Sequence, residues 1–395
     1  MNRPILVINS GSSSIKYCLY STDLKCLDRG QIDRLGGQPT LTSRRDGEAH
    51  SRELHAGTSH AQALEQLLDE LMASEAQTDH LAVGHRVVHG GSDFSAPVTI
   101  DDSVLQRLQA IVPLAPLHQP YNLAAIGAIR DIYPDTPQVA CFDTAFHANI
   151  GKPATQFGLP ARYHDAGVRR YGFHGLSYEY IATRLADTDP QLAAGRVIAA
   201  HLGNGASLCA LHGGQSVDTS MGFSTLEGLM MGTRCGRLDP GALLYMQASM
   251  GMDVEAVTAL LYHESGLKGV SGISHDMRDL ETSDAPQTRE AIDLYVYRIL
   301  AELGALAVGL QGIDGLVFTG GIGENSAHIR RRVSECLGWL GAELDEAANE
   351  RNARVISTAG SRIKLCVIPT DEEGMIARHT RERLNHPEEL KDTRT

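Results

Sequence analysis

The stretch ILVINSGSSSIKYCLY, residues 5–20, decides the fold. Residues 5–8 form a short apolar run rich in β-branched side chains, which predicts a buried strand. The Asn, Gly and Ser cluster at 9–14 predicts a turn. Residues 15–20 then return as a second strand. A second stretch, VIAAHLGNGASLCAL at 197–211, has the same grammar of strand, Gly-rich turn and strand. The pair points to an internal duplication with one copy in each half. Short β-hairpins also resemble one another by chance, and the two stretches alone leave both readings open. The chain has 395 residues, more than one hydrophobic core usually organises, so two domains are expected.

Outward from these hairpins, residues 36–52 are polar and read as hairpin or loop. Residues 58–72 predict a helix that Thr58 or Ser59 can cap, with Ala61, Leu64, Leu67, Leu68 and Leu71 on one face. Residues 81–88 and 138–142 read as strands, with a loop carrying Pro113, Pro116 and Pro120 between them. His212, Gly213 and Gly214 mark a hairpin turn. In the second half, 290–310 predicts a long helix with Ile292, Ile299, Leu303, Leu306 and Leu310 on one face. Residues 315–319 and 363–368 read as strands, and 325–337 as a helix. The charged tail beyond Leu384 is expected to fray. Alternating strands and helices indicate an α/β protein.

Composition narrows the function. Hydrophobic residues make up 42% and charged residues 21%, which is ordinary for a globular chain. A net charge of −13 argues against nucleic acid and against an anionic membrane surface as partners. The seven cysteines are widely spaced and lack a C-x-x-C pair, as expected for reduced thiols in a cytoplasmic protein. No apolar stretch approaches the roughly 18 residues of a membrane span.

Three Gly-rich turns follow apolar runs, at 9–14, 201–205 and 320–325. Glycine lets backbone N–H groups approach a phosphate, and serine hydroxyls add donors. One such turn is weak evidence; three suggest a nucleotide. The P-loop pattern is absent, and the third turn matches the dinucleotide fingerprint poorly, because Ser326 stands at its third glycine. Arg86 in GHRVVHGG and Arg234 in MGTRCG lie among apolar residues and glycines. That setting suits carboxylate or phosphate recognition better than a solvated surface charge. His85 and His89 are four apart but sit on a strand, so a shared metal is not expected. His118 and His174, alone, read as structural histidines. Asp143 follows a buried strand, a common place for chemistry in α/β folds, although a helix N-cap is an equal reading. Glu372 follows another apolar strand and could equally be a first-turn carboxylate.

Together the segments VINSGSSSIKY, GHRVVHGG, APLHQP, FDTAFH, RRYGFHG, HLGNGAS, DTSMG, LEGLMMGTRCG, SGISHDMRDL, TGGIGENS and IPTDEE resemble the acetate and propionate kinase family. They run in the family's order along nearly the whole chain. The resemblance implies a duplicated ribonuclease H-like, actin-like ATPase fold with nucleotide in the cleft between domains. It implies one domain over 1–145, joined by 374–395, and a second over 146–373. It further implies transfer of the ATP γ-phosphate to acetate, reversibly with acetyl phosphate and ADP, with Mg²⁺ or alternatively Mn²⁺, in a cytoplasmic homodimer.

By position, the resemblance makes Asp143, His174 and Arg234 catalytic. It gives Arg86, Val88, Leu117, His118, Phe173 and Thr225 to the substrate. Ser12, Ser14 and Lys16 fall in the first phosphate loop. His201, Leu202, Gly203, Asn204 and Gly205 fall in ATP segments, as do Asp276, Met277, Arg278, Gly321, Ile322, Gly323, Glu324 and Asn325. Asn9 and Glu372 match the metal-linked positions. A carboxylate acceptor is ionised at neutral pH, so Asp143 need not be a general base. The chain departs from the family at Tyr178 where histidine is usual, at Gln119 and Asp371 where asparagine is common, and at Thr225 where proline is usual. Val88 favours acetate over propionate; Thr225, at a pocket-lining position, blurs that preference. A propionate or other short-chain acyl kinase, a catalytically silent ATP-binding protein of this fold and a Rossmann oxidoreductase are the alternatives.

Overall fold

The computed structural model describes residues 3–45, 47–73 and 81–386. It divides into two compact units, Met1–Ala148 with Asp371–Thr395, and Asn149–Thr370. The second crossing falls after Thr370 rather than after residue 373, so Glu372 belongs with the first unit. Beyond residue 386 the charged tail lies outside the described residues.

The first unit holds β1 (Ile5–Ser10), β2 (Ser14–Tyr20), β3 (Cys26–Asp33), β4 (Thr40–Arg45), β5 (Glu48–Glu53), β6 (Ala82–Val87), β7 (Val98–Thr99) and β8 (Gln138–Phe142). They form one sheet in the order β5-β4-β3-β2-β1-β6-β8-β7. The second unit holds β9 (Arg196–Leu202), β10 (Ala206–His212), β11 (Gln215–Thr219), β12 (Gly315–Thr319) and β13 (Lys364–Val367), in the order β11-β10-β9-β12-β13. In both sheets two antiparallel pairings lead to the opening strand of the hairpin, which then pairs in parallel with the next strand outward, itself parallel to a further one. The frame β3-β2-β1-β6-β8 is thus repeated as β11-β10-β9-β12-β13. This is the duplicated α/β architecture, and the two Gly-rich hairpins are its equivalent parts.

Local sequence explains the helices. Ser59 and Gln62 form a reciprocal cap at the start of His60–Ala73, with Gln62 N–H to Ser59 Oγ at 3.3 Å and Ser59 N–H to Gln62 Oε1 at 3.0 Å. Ala63, Leu64, Leu67, Leu68 and Leu71 of that helix are buried. Ala61, expected on this face, is exposed and Ala63 takes its place. The helix Pro286–Gly309 starts at a proline, and Ile292, Ile299, Leu303 and Leu306 are buried, as is Leu310 just beyond it. The helix Glu372–Asn385 packs on β1 and β6 of its own unit. A Cβ on Gly84 of β6 would stand 2.4 Å from Thr380 Oγ1, so glycine there lets the helix approach.

Further expectations needed correction. The stretch between the strands at 81–88 and 138–142 is not a loop throughout, since the helices Asp102–Ala110 and Gln119–Ile132 flank Pro113 and Pro116. Pro120 sits in the first turn of the second helix, where its missing N–H costs nothing. The third Gly-rich turn is a short helix, Gly320–Asn325, and the helix expected over 325–337 is Ala327–Glu335, capped by Ser326. Among the described residues no helix is long and apolar enough to cross a membrane.

Candidate active site

In the first unit the parallel strands β1, β6 and β8 deliver their C-terminal ends side by side. Asn9 lies on β1, Arg86 on β6, and Asp143 directly follows β8. Arg86 grips Asp143 with Nε to Oδ1 at 3.0 Å and Nη2 to Oδ2 at 2.5 Å. Its Nη1 donates to Asn9 Oδ1 at 3.2 Å. Burial works against the guanidinium charge, but the carboxylates of Asp143 and Glu372 outweigh it and raise the Arg86 pKa. Glu372 opens the helix Glu372–Asn385. Burial pushes its carboxyl up to about 7, with Arg86 opposing and Asp143 and Glu373 adding to the rise. Asp371 caps that helix, accepting from Gly374 N–H at 2.9 Å, so its departure from asparagine keeps a capping oxygen.

The loop after β1 is held rather than free. Gly11 N–H donates to Ser14 C=O at 2.8 Å, while Ser12 and Lys16 are exposed. Ser10 Oγ is buried with no hydrogen-bond partner. Asn122, which sequence reading missed, ties this loop to β6. It accepts from Val88 N–H at 3.0 Å and donates to Ser10 C=O at 2.7 Å. Gln119 clamps the His89 peptide, accepting its N–H at 3.3 Å and donating to its C=O at 3.0 Å. Val88 is buried, Leu117 is half-buried, and His118 stands at the N-terminus of Gln119–Ile132. His85 and His89 are structural: burial pushes each down to about 4, and His85 Nε2 pairs with Gln138 Oε1 at 2.7 Å.

In the second unit a cavity of about 620 Å³ is walled by Gly203, Asn204, the segment 275–278, Glu281, Gly321, Ile322, Asn325 and Ser326. Gly320, which opens the short helix carrying Gly321 and Ile322, packs closely on β9: its φ is +75°, and a Cβ would meet Leu202 C=O at 2.8 Å. Gly321, by contrast, faces open space. Glu324 does not line the cavity. Its Oε1 accepts from Gly320 N–H at 2.9 Å and Thr370 N–H at 3.0 Å, fixing the short helix to the end of β13. Arg330, fully buried, donates to the carbonyls of Gly323 at 3.0 Å and Glu324 at 2.9 Å. Nothing in the run IRRR singles it out. Asp276 pairs with Arg278 and caps Met277–Thr282, and the Arg278 hydrogen bonds pull its carboxyl down to about 2.

His174 sits in the left-handed region at φ 57°. Its ring stacks on His201 at 4.3 Å between centroids. His174 Nδ1 lies 2.8 Å from Ser207 Oγ, and that oxygen lies 2.5 Å from the Tyr178 hydroxyl. A phenol is the better donor of the two hydroxyls, so Tyr178 donates to Ser207 and Ser207 to Nδ1. His174 then carries its proton on Nε2. Tyr178 therefore extends the hydrogen-bond chain behind the histidine. Arg234 Nη1 donates to the Thr225 carbonyl at 3.3 Å. Its loop is pinned by Leu267 N–H to Met231 C=O at 2.8 Å and Ser265 N–H to Thr233 C=O at 3.0 Å. Gly266 permits this, since a Cβ would stand 2.2 Å from Met231 C=O. Phe173 and Thr225 are buried in this unit.

Comparison with known proteins agrees with this architecture. The model of the acetokinase family matches residues 4–378. The acetate kinase of Methylocella silvestris is 50% identical over 396 residues, spanning 96% of this chain and 98% of its own. The crystal structure of a propionate kinase from Francisella tularensis superposes with a TM-score of 0.91 at 35% identity, covering 95% of this chain and 98% of its own. That of Porphyromonas gingivalis acetate kinase gives 0.88 at 38% identity, covering 97% and 100%. The chain belongs to the acetokinase family.

Proposed function

We propose that this chain transfers the γ-phosphoryl group of ATP to acetate, and the reverse, by direct in-line displacement. The observation that carries this reading is Arg86. Asp143 and Asn9 take three of its five N–H donors, which fixes the fork and leaves two donors for an anionic oxygen. Buried Val88 lies two residues on and suits a short acyl chain. A silent ATP-binding protein has no use for such a fork. The open cavity beside Gly203 and Gly321 suits the nucleotide.

The acceptor needs no base, because acetate is ionised at neutral pH. The barrier is the approach of one anion to another. The guanidinium groups of Arg86 and Arg234 supply positive charge, and an Nε2-protonated His174 supplies a neutral donor, for phosphoryl oxygens. Asp143 orients Arg86.

A divalent cation fits the first unit. Asn9 and Glu372 are hard oxygen donors, and the Glu372 carboxyl is buried with its pKa raised, which a bound cation would reverse. Among the described residues no cluster of three or more His, Cys, Asp or Glu forms a cage, as befits Mg²⁺, which keeps waters and leans on substrate phosphates. Such an ion would neutralise phosphate charge, and Mn²⁺ suits the same donors. We also assign a homodimer. The helix Pro240–Ala248 buries none of its residues, and Leu244, Tyr245, Met250 and Val254 are all more than 60% exposed, an apolar surface fit for a second copy. A cytoplasmic location suits the ATP requirement and the free cysteines.

Acetate is the preferred acid, with propionate poorer, because one methylene is worth about 1–3 kcal/mol in an apolar pocket. Steady-state acyl phosphate formation with Mg-ATP and acetate, propionate or butyrate tests this. A higher kcat/KM for propionate would move the preference to the longer acid. No turnover from folded, ATP-binding protein would leave the silent reading.

A further inference from the structure

We propose that Cys18 and Cys26 are a peroxide-reactive pair that closes a reversible disulfide across β2 and β3. The two sulfurs lie 3.0 Å apart without being bonded, so a shift of about 1 Å brings them to bonding distance. The sheet sets this up. Cys18 faces Arg29, and Tyr20 faces Cys26, with a register shift between Leu19 and Tyr20. That irregularity turns Cys26 toward Cys18 on the same sheet face.

The two thiols differ in ways that divide the work. Cys26 is exposed and Cys18 is buried. Arg29 faces Cys18 across the strands, and the nearby Cys26 thiol raises its guanidinium pKa. Its positive charge offsets the negative charge of a departing hydroxide. Burial pushes the Cys18 thiol pKa up, and the neighbouring Cys26 adds to it. Cys18 therefore stays protonated and acts second. These are the features of an attacking cysteine beside a resolving one.

The chemistry balances with a hydroperoxide as oxidant. The Cys26 thiolate attacks the distal oxygen, the O–O bond breaks, and Cys26 becomes a sulfenic acid. For hydrogen peroxide the leaving hydroxide takes a proton and departs as water. Cys18 sulfur then attacks the sulfenic sulfur, the S–O bond breaks, and the Cys18 proton leaves with the hydroxide as a second water. Two thiols are oxidised by two electrons and the peroxide is reduced. In a reducing compartment the bond is transient.

The site also touches a cavity of about 340 Å³ lined by Lys16, Cys18, Tyr20, Arg29, Asp371 and Glu373, among others. Small molecules therefore reach Cys18 from the cavity, while Cys26 is open to solvent.

Trypsin cuts after Lys25, between the two cysteines, so the test has a clean readout. The native protein is titrated with hydrogen peroxide, alkylated and digested without reductant. Peptides 17–25 and 26–29 should appear linked at a mass 2 Da below their sum, before oxidation of exposed Cys336, and separate on reduction. Cys18→Ser should instead leave a Cys26 sulfenic acid that a cyclic 1,3-dione traps. Oxidation of Cys336 ahead of the pair, or Cys26 reaching the sulfinic acid in native protein with no linked peptide, would overturn the proposal.

Discussion

The two Gly-rich hairpins occupy equivalent places and do different work. After β1 the chain ends in Asn9 and Ser10, and its neighbours end in Arg86 and Asp143. After β9 it runs into Gly203 and Asn204, and its neighbours end in Gly320 and Thr370. The parallel-strand ends thus carry the Arg86–Asp143 ion pair in the first unit, and glycines with the neutral Asn204 and Thr370 in the second. On the proposed function, one frame would supply a fork for the small anion and its copy the space for the nucleotide. This division follows the general habit of open α/β sheets to bind at the carboxyl ends of their strands.

The sharpest break of this comparison lies in the charged groups. Arg234→Ala and Arg86→Gln should each lower kcat by about 100- to 1,000-fold, the usual effect of removing a donor aimed at developing charge. For Arg234→Ala, an intact kcat with only a raised KM would make that residue a binding group alone.

The backbone side of the comparison is tested by two adjacent glycines. Gly320→Ala forces a Cβ against Leu202 C=O in a left-handed conformation. It should cost about 1–3 kcal/mol in urea unfolding, with weaker nucleotide binding. Gly321→Ala meets nothing within 4 Å and should cost well under about 1 kcal/mol in the same assay. Equal costs would show that the strand end is not the constraint.

Glu372 sharpens the charged half through pH. Its folded pKa, about 7, lies above the ordinary carboxyl value. The folded state therefore holds a proton that the unfolded state releases. Stability falls as pH rises through the interval from about 4.5 to 7, by on the order of 1–3 kcal/mol in metal-free protein. Glu372→Gln should flatten that slope in thermal melts taken across the interval. An unchanged slope would place the titration elsewhere.

The smallest effect belongs to Tyr178. Tyr178→Phe removes the donor behind Ser207 and should lower kcat about 2- to 10-fold, the value of one hydrogen bond, with ATP affinity kept. A wild-type rate would remove the phenol from the account.

Legibility in the sequence followed contiguity. The hairpins, the long helix and the Gly-rich motifs announce themselves because the residues that matter are neighbours in the chain. The helix Gln119–Ile132 was hidden because Pro120 reads as loop punctuation, whereas at a first turn it starts a helix. Asn122 was missed because its partner Ser10 is 112 positions away. Ser207 and Arg330 were missed for the same reason: each is one polar residue whose partners come from other elements. The Tyr178 departure was visible, but its meaning depended on where Ser207 and His174 come together.

The most direct test of the division between the two strand ends is nucleotide affinity in Arg86→Gln, measured by calorimetry on protein with a wild-type melting profile. The expected result is an ATP Kd within about threefold of wild type with kcat lowered about 100- to 1,000-fold. ATP affinity falling in parallel with turnover would contradict it.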